Sequence, residues 1–193
     1  KTVLKNFEVK PRRLCIWTSC PLGVTAVYCI YLLVPDRGSN GDPSTDRIAV
    51  MKDQSLSRDS IDDRHGGDLQ GVINHLDDLQ SLGVTTLWMT PVLINDMPNR
   101  TEHGYAMTNQ YKVEPRFGGE AAYLKLSAEL HKRGLKLIQD AVYNHIGIQH
   151  FTVQDPPMKD WLHHWPHYTQ TNYKDQVLMD PHASAENKKV MSD

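Results

Sequence analysis

Apolar residues recur along this chain with two different periods. At Leu69, Val72, Ile73, Leu76, Leu79 and Leu82 the gaps of three and four mark one face of a helix, which Asp68 can cap and Gly83 can stop. A second helix is predicted over about 119–133, with Ala121, Leu124 and Ala128, and Tyr123, Leu126 and Leu130, as its apolar positions and Gly134 at its end. Three shorter apolar blocks read as buried strands: 28–34, closed by Pro35-Asp36; 84–90, closed by Pro91; and 135–142. Residues 38–63 and 92–118 read as loops, and beyond Ile146 the periodicity fades into an irregular excursion. The order strand, helix, strand, helix, strand predicts right-handed parallel crossovers in an α/β sheet. Such folds place their sites in the loops that follow the strands.

Residues 14–34 carry no charge and follow Arg12-Arg13, so a membrane segment is a second reading for them. Thr18, Ser19, Pro21, Gly23 and Thr25 weaken it, leaving only 24–34 strongly apolar. Length and β-branched content favour the strand.

Composition narrows the function classes. Lys and Arg number 21 against 23 Asp and Glu, for a net charge of -2. That balance, with no basic tract, gives no electrostatic reason to seek nucleic acid or anionic lipid. Hydrophobic residues at 39% and charged residues at 23% exclude collagen, coiled coil and wholesale disorder. Cys15, Cys20 and Cys29 are odd in number and fit neither a disulfide framework nor a CxxC motif. A start at Lys1 and an end at Asp193 without an obvious stop signal lead us to expect a fragment.

Three polar clusters follow the predicted strands. Asn40-Gly-Asp42-Pro-Ser-Thr45-Asp46, with Gly66-Gly67-Asp68 further on, reads as an Asx turn with a helix cap at Asp68, or as hard oxygen ligands suited to calcium. His103-Gly104-Tyr105 can present a flat aromatic face to a sugar ring, or can anchor a buried loop. Asp140-Ala-Val-Tyr-Asn144-His145 places a carboxylate, an amide and an imidazole where a parallel strand meets its loop, as a functional group or as a strand-end cap. His163 and His167 have the spacing of a metal pair, but Pro166 makes this a loop. Asn99-Arg-Thr101 is a formal glycosylation sequon. No serine or cysteine nucleophile motif, P-loop or dinucleotide fingerprint appears.

Taken in order, these segments resemble the start of the catalytic domain of the α-amylase family, glycoside hydrolase family 13, with a flavour of neopullulanases and cyclomaltodextrinases. Tyr31-Leu-Leu-Val-Pro-Asp-Arg37 with the Asn40–Asp46 cluster resembles the first barrel strand and its loop. Arg64-His-Gly-Gly-Asp-Leu-Gln-Gly71 and Leu82-Gly-Val-Thr-Thr-Leu-Trp-Met-Thr-Pro91 resemble the first helix and second strand. His103-Gly-Tyr105 with Tyr111-Lys-Val-Glu-Pro-Arg-Phe-Gly118 resembles the stretch after strand two, and Asp140 to His145 matches the family signature D-x-V-x-N-H.

That resemblance implies a partial TIM (β/α)8 barrel of about three strands over 28–145 and the start of domain B over 146–193. It leaves 1–27 unmatched: 1–13 are expected as the tail of a preceding β-sandwich domain, and 14–27 match nothing in the family, with a frameshift as the expectation there. It implies cleavage of α-1,4-glucosidic bonds in starch, maltodextrin, cyclodextrin or pullulan. Tyr105 would be the platform under the sugar before the scissile bond and His103 would line the same pocket. His145 would bind that ring's hydroxyls, and Asp140 would orient the charged groups around the nucleophile. Calcium would sit at Asn40, Asp42, Thr45, Asp46, Gly66 and Asp68, where Thr45 replaces a more usual Asn, or alternatively at Asn144. Asn109 stands where an Asp is common. Nucleophile, general acid and a third Asp belong to strands four, five and seven of the family, so the 193 residues by themselves are expected to be inactive. The rival expectation is a non-catalytic glycan- or calcium-binding remnant. An α-glucan is the expected partner, a homodimer the expected parent assembly, and the periplasm or exterior the expected location, with the cytoplasm as the alternative.

Overall fold

The computed structural model describes residues 28–162, 166, 181 and 184–192. The expectations for residues 1–27 and for the His163/His167 pair therefore lie outside the described residues. The chain divides into two compact units, 1–150 and 151–193.

In the first unit three parallel strands, β1 (Ile30–Leu33), β2 (Thr86–Met89) and β5 (Lys136–Gln139), pair in the order β1-β2-β5. Rows such as Leu33–Met89–Gln139 and Leu32–Trp88–Ile138 run straight across the sheet. One face is covered by helices α1 (Leu69–Asn74) and α3 (Gly119–Lys132). Leu69, Val72, Leu76, Leu87, Met89, Leu126 and Leu130 form the core between them. The other face leaves Ile30, Leu32, Trp88 and Ile138 between 37 and 54% exposed. It is the side that points inward in a closed parallel barrel. Among the described residues no helix is long and apolar enough to cross a membrane, and Ile30–Leu33 is a paired strand.

Four details depart from the sequence reading. The predicted helix over 69–82 is two, α1 and α2 (Leu76–Ser81), because His75 leaves helical dihedrals at φ -114°, ψ 13°. Apolar spacing reports which side is buried, and Leu69, Val72 and Leu76 remain on one side; it does not report an unbroken hydrogen-bond ladder. The third parallel strand stops at Gln139 rather than residue 142. Its partner β2 ends before Pro91, which has no N–H to extend the ladder. The first strand is likewise confined to Ile30–Leu33, the stretch that finds partners on β2. Finally, 92–118 is not all loop: β3 (Leu93–Ile94) pairs antiparallel with β4 (Asn109–Val113) across an irregular register. A two-residue strand, and a partner reading N-Q-Y-K-V, carry too little alternation to be seen in sequence.

Among the described residues of the second unit are two short helices, α4 (Phe151–Gln154) and α5 (Ala185–Ser192).

Candidate active-site cleft

Parallel strands end together, so the loops after β2 and β5 meet. Asp140 directly follows β5, while His103, Gly104 and Tyr105 lie in the loop between β3 and β4. The Tyr105 Oη donates to Asp140 Oδ2 at 2.9 Å, and the Tyr105 N–H donates to His103 Nδ1 at 2.8 Å. The His103 and Tyr105 rings stack with centroids 6.0 Å apart and planes 22° apart. From the β5 side the His145 Nε2–H donates to the Tyr105 carbonyl at 2.9 Å. Three residues singled out in the sequence, His103, Asp140 and His145, thus converge on a fourth, Tyr105. Asn144 is exposed, its side-chain amide 3.4 Å from His145 Nδ1.

Electrostatics fixes the protons. Burial holds His103 below its ordinary 6.5, Arg100 and His145 push the same way, and Glu102 opposes them. A neutral imidazole is what the Tyr105 N–H needs, since a protonated Nδ1 cannot accept. Burial raises Tyr105 above its ordinary 10.0, and the hydrogen bond and charge of Asp140 add to it. Tyr105 therefore stays a donor, and Asp140 has one oxygen committed to it.

Gly104 makes the His103–Tyr105 apposition possible. It sits at φ +82°, and a Cβ there would lie 2.2 Å from the Pro91 carbonyl oxygen. Gly104→Ala is expected to lower stability by more than the ~1–2 kcal/mol that left-handed backbone alone costs. The measurement is hydrogen exchange, in which the Tyr105 N–H should lose protection well before the core strands do; unchanged protection would contradict this role.

A second cluster lies around the turns after β1. Asp68 caps α1 through the Gly71 N–H at 2.6 Å and also accepts from the Gly41 and Asp42 N–H groups. Asp42 Oδ1 accepts from the Ser44 N–H and hydroxyl, and the Thr45 hydroxyl donates to the carbonyls of Asp42 and Arg116. Asn40 Nδ2 donates to Asp46 Oδ1 at 2.7 Å, and Gly66 packs so close that a Cβ would lie 2.8 Å from the same oxygen. All six residues named for calcium are thus brought into neighbouring turns. Among the described residues no three His, Cys, Asp or Glu side chains converge as a metal cluster. Asn40 Oδ1, however, is buried without a hydrogen-bond partner. A hard cation fits such an orphaned oxygen, with carboxylates and backbone carbonyls completing its shell.

Sequence reasoning gave no role to the charged residues packed beneath the β3–β4 hairpin. Arg116 is bidentate to Glu114, Nε to Oε1 at 2.8 Å and Nη2 to Oε2 at 3.0 Å, and also donates to the carbonyls of Asp53 and Asn95. Arg64 lies 3.4 Å from Asp36 Oδ1 and 5.0 Å from the Phe117 ring centre. The usable signal was the run Val113-Glu-Pro-Arg-Phe117, where two charges are flanked by apolar residues in a short turn.

Residues 32–189 match the model of the α-amylase catalytic domain. The chain is 36% identical over 151 residues to neopullulanase 2 of Thermoactinomyces vulgaris, covering 78% of this chain and 24% of that protein. It is 33% identical to the cyclomaltodextrinase of Thermoanaerobacter pseudethanolicus over 146 residues, 71% of this chain and 24% of that one. It thus spans about a quarter of the length of these relatives. Among solved structures, an Anoxybacillus α-amylase superposes with a TM-score of 0.62 at 34% identity, over 86% of this chain and 36% of that one. The α-amylase of Geobacillus thermoleovorans, complexed with acarbose, gives 0.60 at 34% identity, over 86% and 35%. This chain belongs to the α-amylase family, glycoside hydrolase family 13, and its parallel strands are part of that family's TIM-barrel catalytic domain.

Proposed function

We propose that the protein carrying these residues is a retaining glycosidase that cleaves α-1,4-glucosidic bonds in starch, maltodextrin, cyclodextrin or pullulan, and that this stretch supplies the sugar-binding wall of its site. The observation that carries the reading is the Tyr105 ring, stacked on His103 and held by Asp140 and His145 where parallel strands end. An aromatic face of that kind packs against the apolar face of a pyranose, while the neutral His103 imidazole beside it hydrogen-bonds ring hydroxyls. The relatives' names, neopullulanase and cyclomaltodextrinase, and acarbose in one related structure point to the same ligand class.

Retention needs two carboxylates about 5 Å apart, a nucleophile and a general acid. Asp140, with one oxygen hydrogen-bonded to Tyr105, orients the wall, and the reacting carboxylates come from barrel strands outside these residues. The test is release of reducing ends from maltodextrin by the full-length protein and by the 193-residue chain. Turnover by the first and none by the second is expected. A full-length protein that binds maltodextrin without cleaving it would replace the enzyme with a glycan-binding remnant.

For calcium, we propose Asn40 Oδ1 with Asp42, Thr45, Asp46, Gly66 and Asp68 as the holders, with a structural role that ties the turn after β1 to the start of α1. Calcium at 100 times its dissociation constant should stabilise the protein by about 2.7 kcal/mol. Thermal unfolding with and without EDTA reads this, and Asn40→Ala should abolish the difference. An EDTA effect that survives in Asn40→Ala would remove this site from consideration.

A further inference from the structure

Ahead of Tyr105 its loop is anchored at Thr101, a fully buried residue. Thr101 is 1% exposed, and its hydroxyl donates to Asp53 Oδ2 at 2.7 Å and accepts from Arg64 Nη1 at 3.2 Å. Its carbonyl accepts from Asn95 Nδ2 at 3.3 Å and from Arg64 Nη1 at 3.4 Å. Asp53, Arg64 and Asn95 are themselves 3%, 2% and 1% exposed. On the other side of Tyr105 the loop is held by the Gly147 N–H to the Met107 carbonyl and the Thr108 N–H to the Ile94 carbonyl. Arg100, just ahead of Thr101, keeps a left-handed φ of +54° without being glycine, a strain that persists only where the surroundings determine the backbone.

We propose that Thr101, with Asp53 as its acceptor, is a positioning residue for the His103–Tyr105 wall; the inference rests on the sugar-binding role of Tyr105 given above. Asp53 is suited to the task. Burial alone would raise its carboxyl, but hydrogen bonds from Ser55 and Thr101 and the charge of Arg116 outweigh that and hold it below its ordinary value. An ionised acceptor fixes the Thr101 hydroxyl more firmly than a neutral one. Thr101 is only four residues from Tyr105, so the short backbone between them carries a shift at Thr101 toward the ring. Misplacement of a binding group by about 1 Å costs up to about 100-fold in rate.

The test is a double-mutant cycle in the full-length protein, with kcat and KM on a chromogenic maltooligosaccharide expressed per folded molecule. Thr101→Val should lower kcat/KM about tenfold or more, and Thr101→Ser, which keeps the hydroxyl, should restore most of it. In a Tyr105→Ala background Thr101→Val should cause no further loss, because it acts through that ring. Equal losses in both backgrounds, or a lowered Tm with kcat and KM unchanged, would overturn the positioning role. Full activity of Tyr105→Ala alone would instead overturn the sugar-binding reading on which it rests. If Thr101→Val does not accumulate as folded protein, Thr101→Ala completes the same cycle.

Discussion

Tyr105→Ala in the full-length protein is expected to lower kcat/KM for maltodextrin by about 10²–10³-fold while leaving most of its stability in place. Two contributions set the size. Stacking of an aromatic ring contributes about 0.5–1.5 kcal/mol beyond area burial. The hydrogen bond from its hydroxyl to the Asp140 carboxylate, 2.9 Å long, contributes about 1.5–3 kcal/mol as a charge-assisted bond. Their sum, about 2–4.5 kcal/mol, spans about 30- to 2,000-fold at 1.36 kcal/mol per factor of ten, and the expected loss lies within that span. Tyr105→Phe separates them. It keeps the ring and drops the bond, so its loss should be the smaller, at about 10–100-fold. The local geometry tolerates the truncation, since Tyr105 is only partly buried and its N–H and carbonyl bonds to His103 and His145 use the backbone. A fall in Tm that matches the fall in activity would show instead that the ring is a loop anchor, and near-normal turnover would remove it from the site.

How much of this was legible in the sequence depended on the physics behind each feature. Leu69, Val72, Leu76, Leu126 and Leu130 announced a helix face because burial imposes a period on them. The three parallel strands were visible because each needed a short apolar run between turn residues. The candidate residues His103, Tyr105, Asp140 and His145 were singled out from residue type and position at strand ends, and the structure places them around one another. The hairpin of β3 and β4 was hidden, because Ile94 pairs with Asn109 across a bulge and leaves no alternating pattern. Partners such as Thr101 and Asp53 were hidden for another reason: 48 residues separate them, and a long-range hydrogen bond writes nothing periodic into either segment.

Glu114→Ala carries the largest expected stability loss, about 3–5 kcal/mol. Its carboxylate is the counter-ion of Arg116 at 2.8 Å, and both side chains are essentially inaccessible. Removing it leaves a buried guanidinium with only the Asp53 and Asn95 carbonyls, and leaves the Asn95 N–H without its acceptor. Against a total stability of about 5–15 kcal/mol this is a large fraction, readable as a shift of the urea midpoint. Tyr111→Ala on the neighbouring strand, where the ring is 82% exposed, should change the midpoint very little. A cycle adding Arg116→Met to Glu114→Leu should cost less than the two single changes added together, because no charge is then left unpaired. The pH dependence has a definite sign. Burial pushes Glu114 up, but Arg116, the Asn95 N–H and Arg64 outweigh it and place it below its ordinary 4.5. Its contribution is therefore full above pH 4.5 and is lost as pH falls through its folded value. Asp36 has the opposite sign: burial raises it above its ordinary 3.8 in spite of Arg64. Its contribution is present below pH 3.8 and lost as pH rises through its own folded value. Acid titration of Glu114→Gln should therefore show a shallower loss of stability below pH 4.5 than the parent protein. An identical slope in both would place the acid sensitivity of this fold outside the Glu114–Arg116 pair.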